Sequence, residues 1–307
     1  MIDILLAAWN SEKFLSEQID SIIAQSETDW RLLIRDGGST DSTLQIIDHY
    51  CRQEPERIIL VETGKATAVE NFARLLHFST GETVMFADHD DVWLPDKIAA
   101  SFAKLKEIES GTPPGAPVCV FTDAVVTDAD LNQLHASNLK NQHLDPVRGV
   151  SLNRLLIQNV PSGNAMIFNA ALRKLITPMP PETVMHDHYA VMAAAALGKI
   201  GFLPEATLLY RQHGCNVLGS GCYSLPGIIR KLASGRKVQR EKIFSYADQA
   251  GALARELQDK LAPESLQMLQ EFAGIRNAGW FGRRRILLRH GIAKTGFLRN
   301  LSVLLGV

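Results

Sequence analysis

Short apolar runs and amphipathic segments alternate along the first 110 residues. The runs "IDILLAA", "WRLLIR", "RIILVE" and "ETVMFA" are short and rich in apolar residues, as buried strands are. Between them, segments such as "NSEKFLSEQIDSIIAQS" and "VENFARLLHF" repeat apolar residues at the spacing of one helix face. Repeated β–α units of this kind predict an α/β fold, with a mainly parallel sheet flanked by helices.

The pattern becomes less regular after residue 110. The Pro/Gly-rich stretch "SGTPPGAP" interrupts it before the strand-like "VCVFTDAVV", and a helix through "HDHYAVMAAAALG" precedes strands at "IGFLPE" and "TLLYRQH". From about Leu225 the chain predicts almost only helix. We therefore expect one domain over residues 1–224, with halves at 1–125 and 126–224, and a helical C-terminal segment over 225–307.

Charge divides the chain in the same way. Residues 1–224 contain 17 Lys and Arg against 27 Asp and Glu, whereas residues 225–307 contain 15 against 6. A basic segment joined to an acidic body predicts an anionic surface as a partner. Nucleic acid is disfavoured as that partner because the larger part of the chain is acidic.

No export signal or membrane span is predicted. The stretch "MIDILLAAWN" has no basic region before it, and the apolar runs fall short of the roughly 18 residues that cross a bilayer. The four cysteines form no CxxC pair, and scattered thiols of this kind usually stay reduced inside cells. We therefore expect a cytoplasmic protein, whose 46% hydrophobic residues suffice for a substantial core.

Polar side chains follow four predicted strands at the point where each ends. They are Asn10, Asp36, Lys65 and Asp88. The ligand crevice of an open α/β sheet lies outside the carboxyl ends of its strands, so these four ends are expected to face one site. Neither the G-x-G-x-x-G motif nor a P-loop is present, which argues against Rossmann-type dinucleotide binding and P-loop chemistry.

The stretch "ADHDDVW" crowds three carboxylates that repel one another unless positive groups hold them. Asp88 is suited to bind a ribose, and Asp90 a divalent metal that also binds a diphosphate, because hard cations take carboxylate and phosphate oxygens together. The alternative is a helix N-terminus whose dipole stabilises the acids, an interpretation that suits Asp91 best.

Further candidates have structural alternatives of their own. The small Ala8 allows close approach of a flat ring or ribose, or simply packs under a helix. Asp36 in "RDGGSTD" can accept a hydrogen bond from a pyrimidine imide or a ribose hydroxyl, or close a turn.

The motif "MHDHY" contains a candidate general base, Asp187, beside His186, which could orient substrate. Its alternative is a capping aspartate with surface histidines. After the last strand, Arg211 can meet phosphate and His213 a metal. A zinc site from His213, Cys215 and Cys222 is a weaker alternative, because its three ligands are irregularly spaced.

Taken together, these motifs resemble family 2 glycosyltransferases of the GT-A fold, especially the bacterial rhamnosyltransferase-like group. The matching stretches, in order, are "LLAAWN", "RDGGSTDST", "GKATAVENFARLL", "FADHDDVWLPDKI", "SGNAMIFN", "HDHYAVMAAAALG" and "YRQHGCNVLG". Two departures stand out. Gly37 replaces a second aspartate common in the family, which bears on base contacts, and His89 replaces a glutamine, which bears on donor preference.

The resemblance implies a GT-A-type, Rossmann-like sheet and an inverting transfer that uses Mn2+ or Mg2+. The donor would be a nucleotide sugar, with dTDP-rhamnose favoured, and the acceptor a saccharide or lipid-linked saccharide in cell-surface polysaccharide synthesis. The implied site residues are Ala8, Asn10, Asp36, Lys65, Asn71, Asp88, His89 and Arg211 for the nucleotide, Asp90 and His213 for the metal, Gly163, Asn164 and His186 for substrate, and Asp187 as catalytic base.

The tail "WFGRRRILLRHGIAKTGFLRNLSVLLGV" mixes aromatic, aliphatic and basic residues as interfacial amphipathic helices do. It predicts peripheral attachment to the inner face of the cytoplasmic membrane. The alternative is packing on the domain or on another subunit, which leaves an oligomer open.

Two other function classes remain. A metal-dependent phosphohydrolase would turn over nucleotide sugars without an acceptor. A non-catalytic nucleotide-sugar-binding subunit would lack a base, and Asp187 argues against it.

Overall fold

The computed structural model describes residues 1–213 and 236–307, and one mixed sheet of nine strands runs through this part of the chain. Apolar runs supply its central strands, whose side chains are buried on both faces as in other helix-covered sheets. The strands are β1 (Ile2–Ala8), β2 (Trp30–Asp36), β3 (Ile58–Thr63), β4 (Thr83–Asp88), β5 (Val92–Trp93), β6 (Val118–Thr127), β7 (Gln133–His135), β8 (Met166–Asn169) and β9 (Lys199–Arg211).

Helices follow most of these strands, as the apolar spacing predicts. They are α1 (Leu15–Ile23), α2 (Thr43–Gln53), α3 (Ala68–Phe78), α4 (Lys97–Ser110), α5 (Asn138–Asn141), α6 (Leu152–Leu155), α7 (Ala170–Leu175), α8 (His186–Leu197), α9 (Arg236–Leu257), α10 (Pro263–Ala273), α11 (Trp280–Arg289) and α12 (Phe297–Gly306). Three short 3-10 helices lie at Arg148–Val150, Gly163–Ala165 and Gly274–Asn277.

The sheet has a parallel half and a mixed half. Strands β3, β2, β1 and β4 are neighbours and parallel, and β8 pairs antiparallel with both β4 and β6. Strand β9 runs parallel to β6 and antiparallel to the short β5, while β7 pairs with β6. The expected parallel sheet is therefore found in the first half of the chain, and antiparallel pairs enter in the second.

The register of the parallel strands aligns the predicted binding residues. Ala8 pairs with Asp36, Ala7 with Asp88, and Asp36 with Thr63. Because parallel strands point the same way, their carboxyl ends form one edge of the sheet. The polar residues that follow the four strands therefore meet at that edge, as the sequence predicts.

Two apolar layers cover the two faces of the sheet. Leu5 of β1 belongs to the layer that includes Tyr189 of α8 and Phe244 of α9, whereas Ile4 and Leu6 belong to the other. This is the alternation that a pleated strand requires. The C-terminal helix α9 thus shares a core with the first part of the chain. The predicted boundary at 224/225 lies outside the described residues, and the division into domains stays a prediction.

Among the helices of the described residues, none combines the length and the apolar character that a bilayer crossing needs. The longest helix, α9, carries charged residues along its length.

Candidate active site

Asp36, at the end of β2, closes a tight turn. Its carboxylate accepts hydrogen bonds from the backbone nitrogens of Gly38, at 3.0 Å, and Ser39, at 3.1 Å, and from the Ser39 hydroxyl. Asn10 has a φ of 47° and binds the same turn, because its Oδ1 accepts from the Thr40 nitrogen at 2.9 Å. The turn interpretation of Asp36 is thus confirmed, and its contact with a base stays a prediction.

The turn leaves little space beside Gly37. A Cβ at this position would lie 2.9 Å from Nδ2 of the buried Asn71, closer than real contacts allow. At Gly38, where φ is +87°, a Cβ would approach the backbone of Lys65 to 3.1 Å. The exposed Lys65 and the buried Asn71 therefore lie against the turn that follows Asp36.

Arg35 is a central residue that the sequence analysis missed. Its buried guanidinium donates to Glu62 at 2.9 Å, to the Gly64 carbonyl at 3.1 Å and to Oδ1 of Asn71. One arginine thus links β2, the loop after β3 and helix α3, so it holds Asn71 and the Gly64 loop beside Asp36. The available signal was a basic residue inside an apolar strand, directly before a candidate acid.

Trp9 is the second missed residue at this edge. It follows β1 directly, its side chain is largely exposed, and its Cβ lies 3.5 Å from the position that a Gly37 Cβ would take. An exposed indole is a large apolar surface that a flat ring can cover. The end of β1 therefore offers an aromatic face next to the small, buried Ala8.

The acid cluster consists of Asp88, the last residue of β4, and of Asp90 and Asp91, which follow it. Oδ2 of Asp90 lies 2.8 Å from Nε2 of His213, and Nδ1 of His89 lies 3.2 Å from the Ala7 carbonyl oxygen. Partial enclosure of the Asp88 carboxyl, together with the negative charges of Asp90 and Asp187, raises the pKa of Asp88 to about 7. The pKa of Asp88 thus responds to the charges of the side chains predicted to bind metal and to act as base.

Asp91 does not cap a helix, so the dipole interpretation is wrong for this residue. Helix α4 begins only at Lys97, and the two-residue strand β5 lies between. Asp91 is fully buried and accepts from Nδ2 of Asn164 at 2.5 Å and from the Arg211 nitrogen at 3.2 Å. Its carboxylate therefore ties the acid cluster to the loop before β8 and to β9.

A buried lysine, Lys97, lies near Asp91 of the acid cluster. Lys97 is enclosed completely, and its Nζ lies 3.3 Å from Oγ1 of Thr207. Burial lowers the pKa of this ammonium to about 7, while the negative charge of Asp91 opposes that shift. No role for Lys97 follows from the sequence pattern alone.

Arg211 binds the backbone of the acid cluster through the Asp90 carbonyl oxygen. Its guanidinium is buried and donates to the carbonyl oxygens of Asp90, at 2.9 Å, and Ala129, at 2.5 Å, and to the carboxylate of Glu17. The ring of Phe14 lies 4.5 Å below it. The structure thus shows a positioning role, and phosphate binding by Arg211 stays a prediction.

Asp187 lies in the first turn of α8, facing the acid cluster. One carboxylate oxygen accepts from the His188 nitrogen at 2.6 Å, and the other from Asn159 at 3.0 Å and from the Gly163 nitrogen at 3.1 Å. Burial raises the pKa of Asp187 to about 6, although these hydrogen bonds act in the opposite direction. The carboxylate is ionised above pH 6 and can then accept a proton.

The two histidines beside Asp187 are buried, so the expectation of surface histidines is wrong. His186 stacks on Phe72 with centroids 3.7 Å apart and meets the edge of Phe86. Burial lowers its pKa to about 3, and neither ring nitrogen has a hydrogen-bond partner among the described residues. A Cβ at Gly163 would lie 3.1 Å from Nε2 of His186, so a larger residue here would push the ring by a few tenths of an ångström.

The predicted site residues therefore form two linked groups. Asp36, Asn10, Lys65 and Asn71 surround the turn after β2, whereas Asp88, Asp90, Asn164, Arg211 and His213 surround the turn after β4. Between the two groups lies strand β1, whose Ala7 carbonyl oxygen is 3.2 Å from Nδ1 of His89. Cys215 and Cys222 of the alternative zinc site lie outside the described residues.

A sheet of parallel β–α units with acids at its carboxyl edge and a buried carboxylate facing them is the arrangement expected of a GT-A nucleotide-sugar transferase. The chain belongs to glycosyl transferase family 2, whose sequence model matches residues 3–175. The resemblance inferred from the motifs is thereby confirmed.

The alignments with related proteins cover more of the chain than the family model does. The chain is 37% identical over 243 residues to the dTDP-rhamnosyl transferase RfbG of Shigella flexneri. The alignment covers 73% of this chain and 79% of RfbG. The chain is also 26% identical over 218 residues to an uncharacterized glycosyltransferase of Nostoc. That alignment covers 70% of this chain but only 66% of the Nostoc protein. A separate alignment with a Mycobacterium tuberculosis protein, 26% identical over 216 residues, covers 69% of this chain and 59% of that protein.

Solved structures confirm the GT-A-type fold. Staphylococcus aureus TarS in complex with UDP aligns with a TM-score of 0.54 at 17% identity, over 95% of this chain and 92% of that one. The mannosyltransferase PcManGT of Pyrobaculum calidifontis, in complex with GDP-Man and Mn2+, aligns with a TM-score of 0.50 at 13% identity, over 95% and 86%.

Proposed function

We propose that this protein is an inverting, metal-dependent glycosyltransferase of polysaccharide synthesis. The observation that carries the proposal is the position of Asp187, whose carboxylate accepts from the Gly163 nitrogen, while the adjacent Asn164 donates to Asp91 of the acid cluster. The side chains that we propose as base and as metal and nucleotide ligands therefore lie close to one loop, which contains Gly163 and Asn164. Transfer from a nucleotide-sugar donor needs both.

The proposed donor is dTDP-rhamnose, and the proposed acceptor is a saccharide or a lipid-linked saccharide. RfbG, at 37% identity, is named as a dTDP-rhamnosyl transferase. WfgD of Escherichia coli, 26% identical over 98 residues, is named as a glucosyltransferase that acts on a GlcNAc-diphosphoundecaprenol. The first name supports the donor, and the second supports an acceptor carried on a lipid diphosphate.

Asp90 and His213 fit a divalent metal. Carboxylate oxygen suits Mn2+ and Mg2+, and Nε2 of His213, 2.8 Å from Oδ2 of Asp90, is a nitrogen donor within reach of the same ion. Among the described residues no three His, Cys, Asp or Glu side chains are arranged to hold a metal by themselves. Diphosphate oxygens would therefore complete the shell. Such a metal, when bound, supplies positive charge to the departing diphosphate.

Asp187 performs the proton transfer in this proposal. The acceptor hydroxyl oxygen forms a bond to the anomeric carbon, on the face opposite the nucleoside diphosphate, while Asp187 takes the hydroxyl proton. The bond between the anomeric carbon and the diphosphate oxygen breaks, and the diphosphate leaves with the electron pair. Attack from the opposite face inverts the configuration at that carbon.

Calorimetry with a panel of nucleotide sugars, with and without Mn2+, tests the donor side. We expect metal-dependent binding of one donor, and we expect Asp90→Ala to abolish the metal dependence. Asp187→Asn keeps the volume of the side chain but removes the base, so donor binding should persist while kcat falls about 100- to 10,000-fold.

Other outcomes favour the alternative functions. Donor turnover at the same rate without any acceptor would indicate the phosphohydrolase. Full transfer by Asp187→Asn would contradict the assignment of the base. Donor binding with no turnover of any kind would leave a nucleotide-sugar-binding subunit.

We propose that the basic C-terminal segment attaches the protein to the inner face of the cytoplasmic membrane. Helices α11 and α12 pack on the core through Leu287 and Val303, as the packing alternative expects. Both helices also expose large apolar side chains beside basic ones such as Arg285. Those side chains are Trp280, Phe281, Leu288, Phe297, Leu298, Leu301 and Leu305. An exposed apolar face with basic residues suits an anionic lipid surface.

A further inference from the structure

Helix α9 lies against the start of α8, where the proposed base is located. Tyr246 and Gln249 are three residues apart on α9 and therefore share one face of that helix. Tyr246 meets the ring of His188 edge-on, with centroids 5.2 Å apart and planes at 86°. Helix α9 thus contacts His188, the residue that follows Asp187 in the sequence.

Gln249 fixes this contact. Its side chain is fully buried, its Nε2 lies 3.3 Å from Nδ1 of His188, and its Oε1 accepts from the Val184 nitrogen at 2.7 Å. On the other side of the ring, Nε2 of His188 lies 2.5 Å from the Leu155 carbonyl oxygen and donates to it. Burial lowers the pKa of His188 to about 4, so the ring is neutral and can accept from Gln249. The position of α9 relative to the base is therefore set by direct hydrogen bonds.

The Tyr246 side chain is half-buried in this contact. No described residue forms a hydrogen bond with its hydroxyl, and the ring also contacts the Lys242 ammonium at 5.8 Å. Burial, together with the negative charge of Asp187, raises the pKa of Tyr246 to about 12. The hydroxyl therefore remains protonated and able to donate near the carboxylate that serves as base.

We infer that Tyr246 contacts the acceptor saccharide, and that α9 completes the acceptor side of the site. This inference rests on the proposed function. In that reaction an acceptor hydroxyl must lie beside Asp187, so the rest of the acceptor ring occupies the space around this carboxylate. A partly buried aromatic ring with an available hydroxyl offers a sugar both an apolar edge and a hydrogen bond.

Steady-state kinetics on the full chain test this role, with the acceptor concentration varied at saturating donor. Tyr246→Phe removes only the hydroxyl and should raise KM for the acceptor about fivefold. Tyr246→Ala also removes the ring and should raise it further. The Kd for the donor, measured by calorimetry, should stay unchanged in both variants, because the donor binds at the strand ends.

Tyr50→Phe is the matched control. Its hydroxyl lies 2.7 Å from Asp20, in the apolar layer on the other face of the sheet, so its loss should leave KM for the acceptor unchanged. An unchanged acceptor KM in both Tyr246 variants, in a wild type that transfers sugar, would overturn this inference alone. A wild type that transfers no sugar would overturn the proposed function as well.

Discussion

At the scale of single residues, the site shows how neighbours change the chemistry of ordinary side chains. Burial shifts the pKa of Asp187 upwards to about 6 and that of His186 downwards to about 3. The carboxyl and the imidazole therefore exchange their usual order of proton affinity, although they are adjacent in sequence. At neutral pH the aspartate is the charged member of the pair, which suits a base.

This order predicts a pH dependence of the transfer. Since the base must be ionised, we expect kcat/KM to fall as the pH drops through about 6. Asn159→Ala removes a hydrogen bond that favours the charged form, so the acid limb should move to higher pH. Asp88 and Tyr246 also face the base and remain in both proteins.

A pH–rate profile of the two proteins gives the measurement. Asn132→Ala, at an exposed loop that contacts Asp128, is the matched control and should reproduce the wild-type profile. An acid limb at the same pH in Asn159→Ala and wild type would show that Asp187 is not the titrating base.

At the scale of elements, the spacing of apolar residues predicted the strands and helices of the first 110 residues. It did so because those same apolar residues are buried in the core there. Strand β9 shows the limit. Its sequence contains Pro204, which cannot donate to a ladder, and it reads as two strands. The structure keeps one strand, because the pairing with β6 skips from Leu203 to Ala206 and passes the proline in a bulge.

Helix α9 depends on a polar contact that no local pattern reveals. Gln249→Leu would leave Nδ1 of His188 and the Val184 nitrogen without their protein partner in a buried site. We expect the free energy of unfolding to fall by about 1–3 kcal/mol, which urea denaturation measures. Ser245→Ala, on the exposed face of the same helix, should change it by less than about 0.5 kcal/mol. Equal stability of Gln249→Leu and wild type would contradict the positioning role.

At the scale of the whole molecule, the sequence indicated the fold and the strand-end acids because both depend on short-range patterns. Arg35, Trp9, Gln249 and Tyr246 were missed because each gains its meaning from distant segments. Arg35, for example, binds a residue 36 positions away, and Gln249 one 61 positions away. The roles of the individual site residues stay predictions until donor and acceptor are bound.

The exposed apolar face of the C-terminal helices carries the whole-molecule prediction. Wild type should sediment with phosphatidylglycerol vesicles but not with phosphatidylcholine vesicles, since binding needs both apolar contact and anionic charge. Phe281→Glu combined with Phe297→Glu should lose most of this binding. Val147→Glu, at an equally exposed position outside the segment, should not. Unchanged sedimentation of the double variant would rule out this face as the membrane contact.

The core shared by α8 and α9 also bears on how the protein is made. Leu253 and Phe272 belong to the same apolar layer as Leu5 and Phe86, so that layer stays open until helices α9 and α10 have left the ribosome. Until then the growing chain displays an uncovered apolar sheet face, the kind of surface that chaperones shield during synthesis. The apolar face is therefore covered, and the proposed acceptor side formed, in the same step of synthesis.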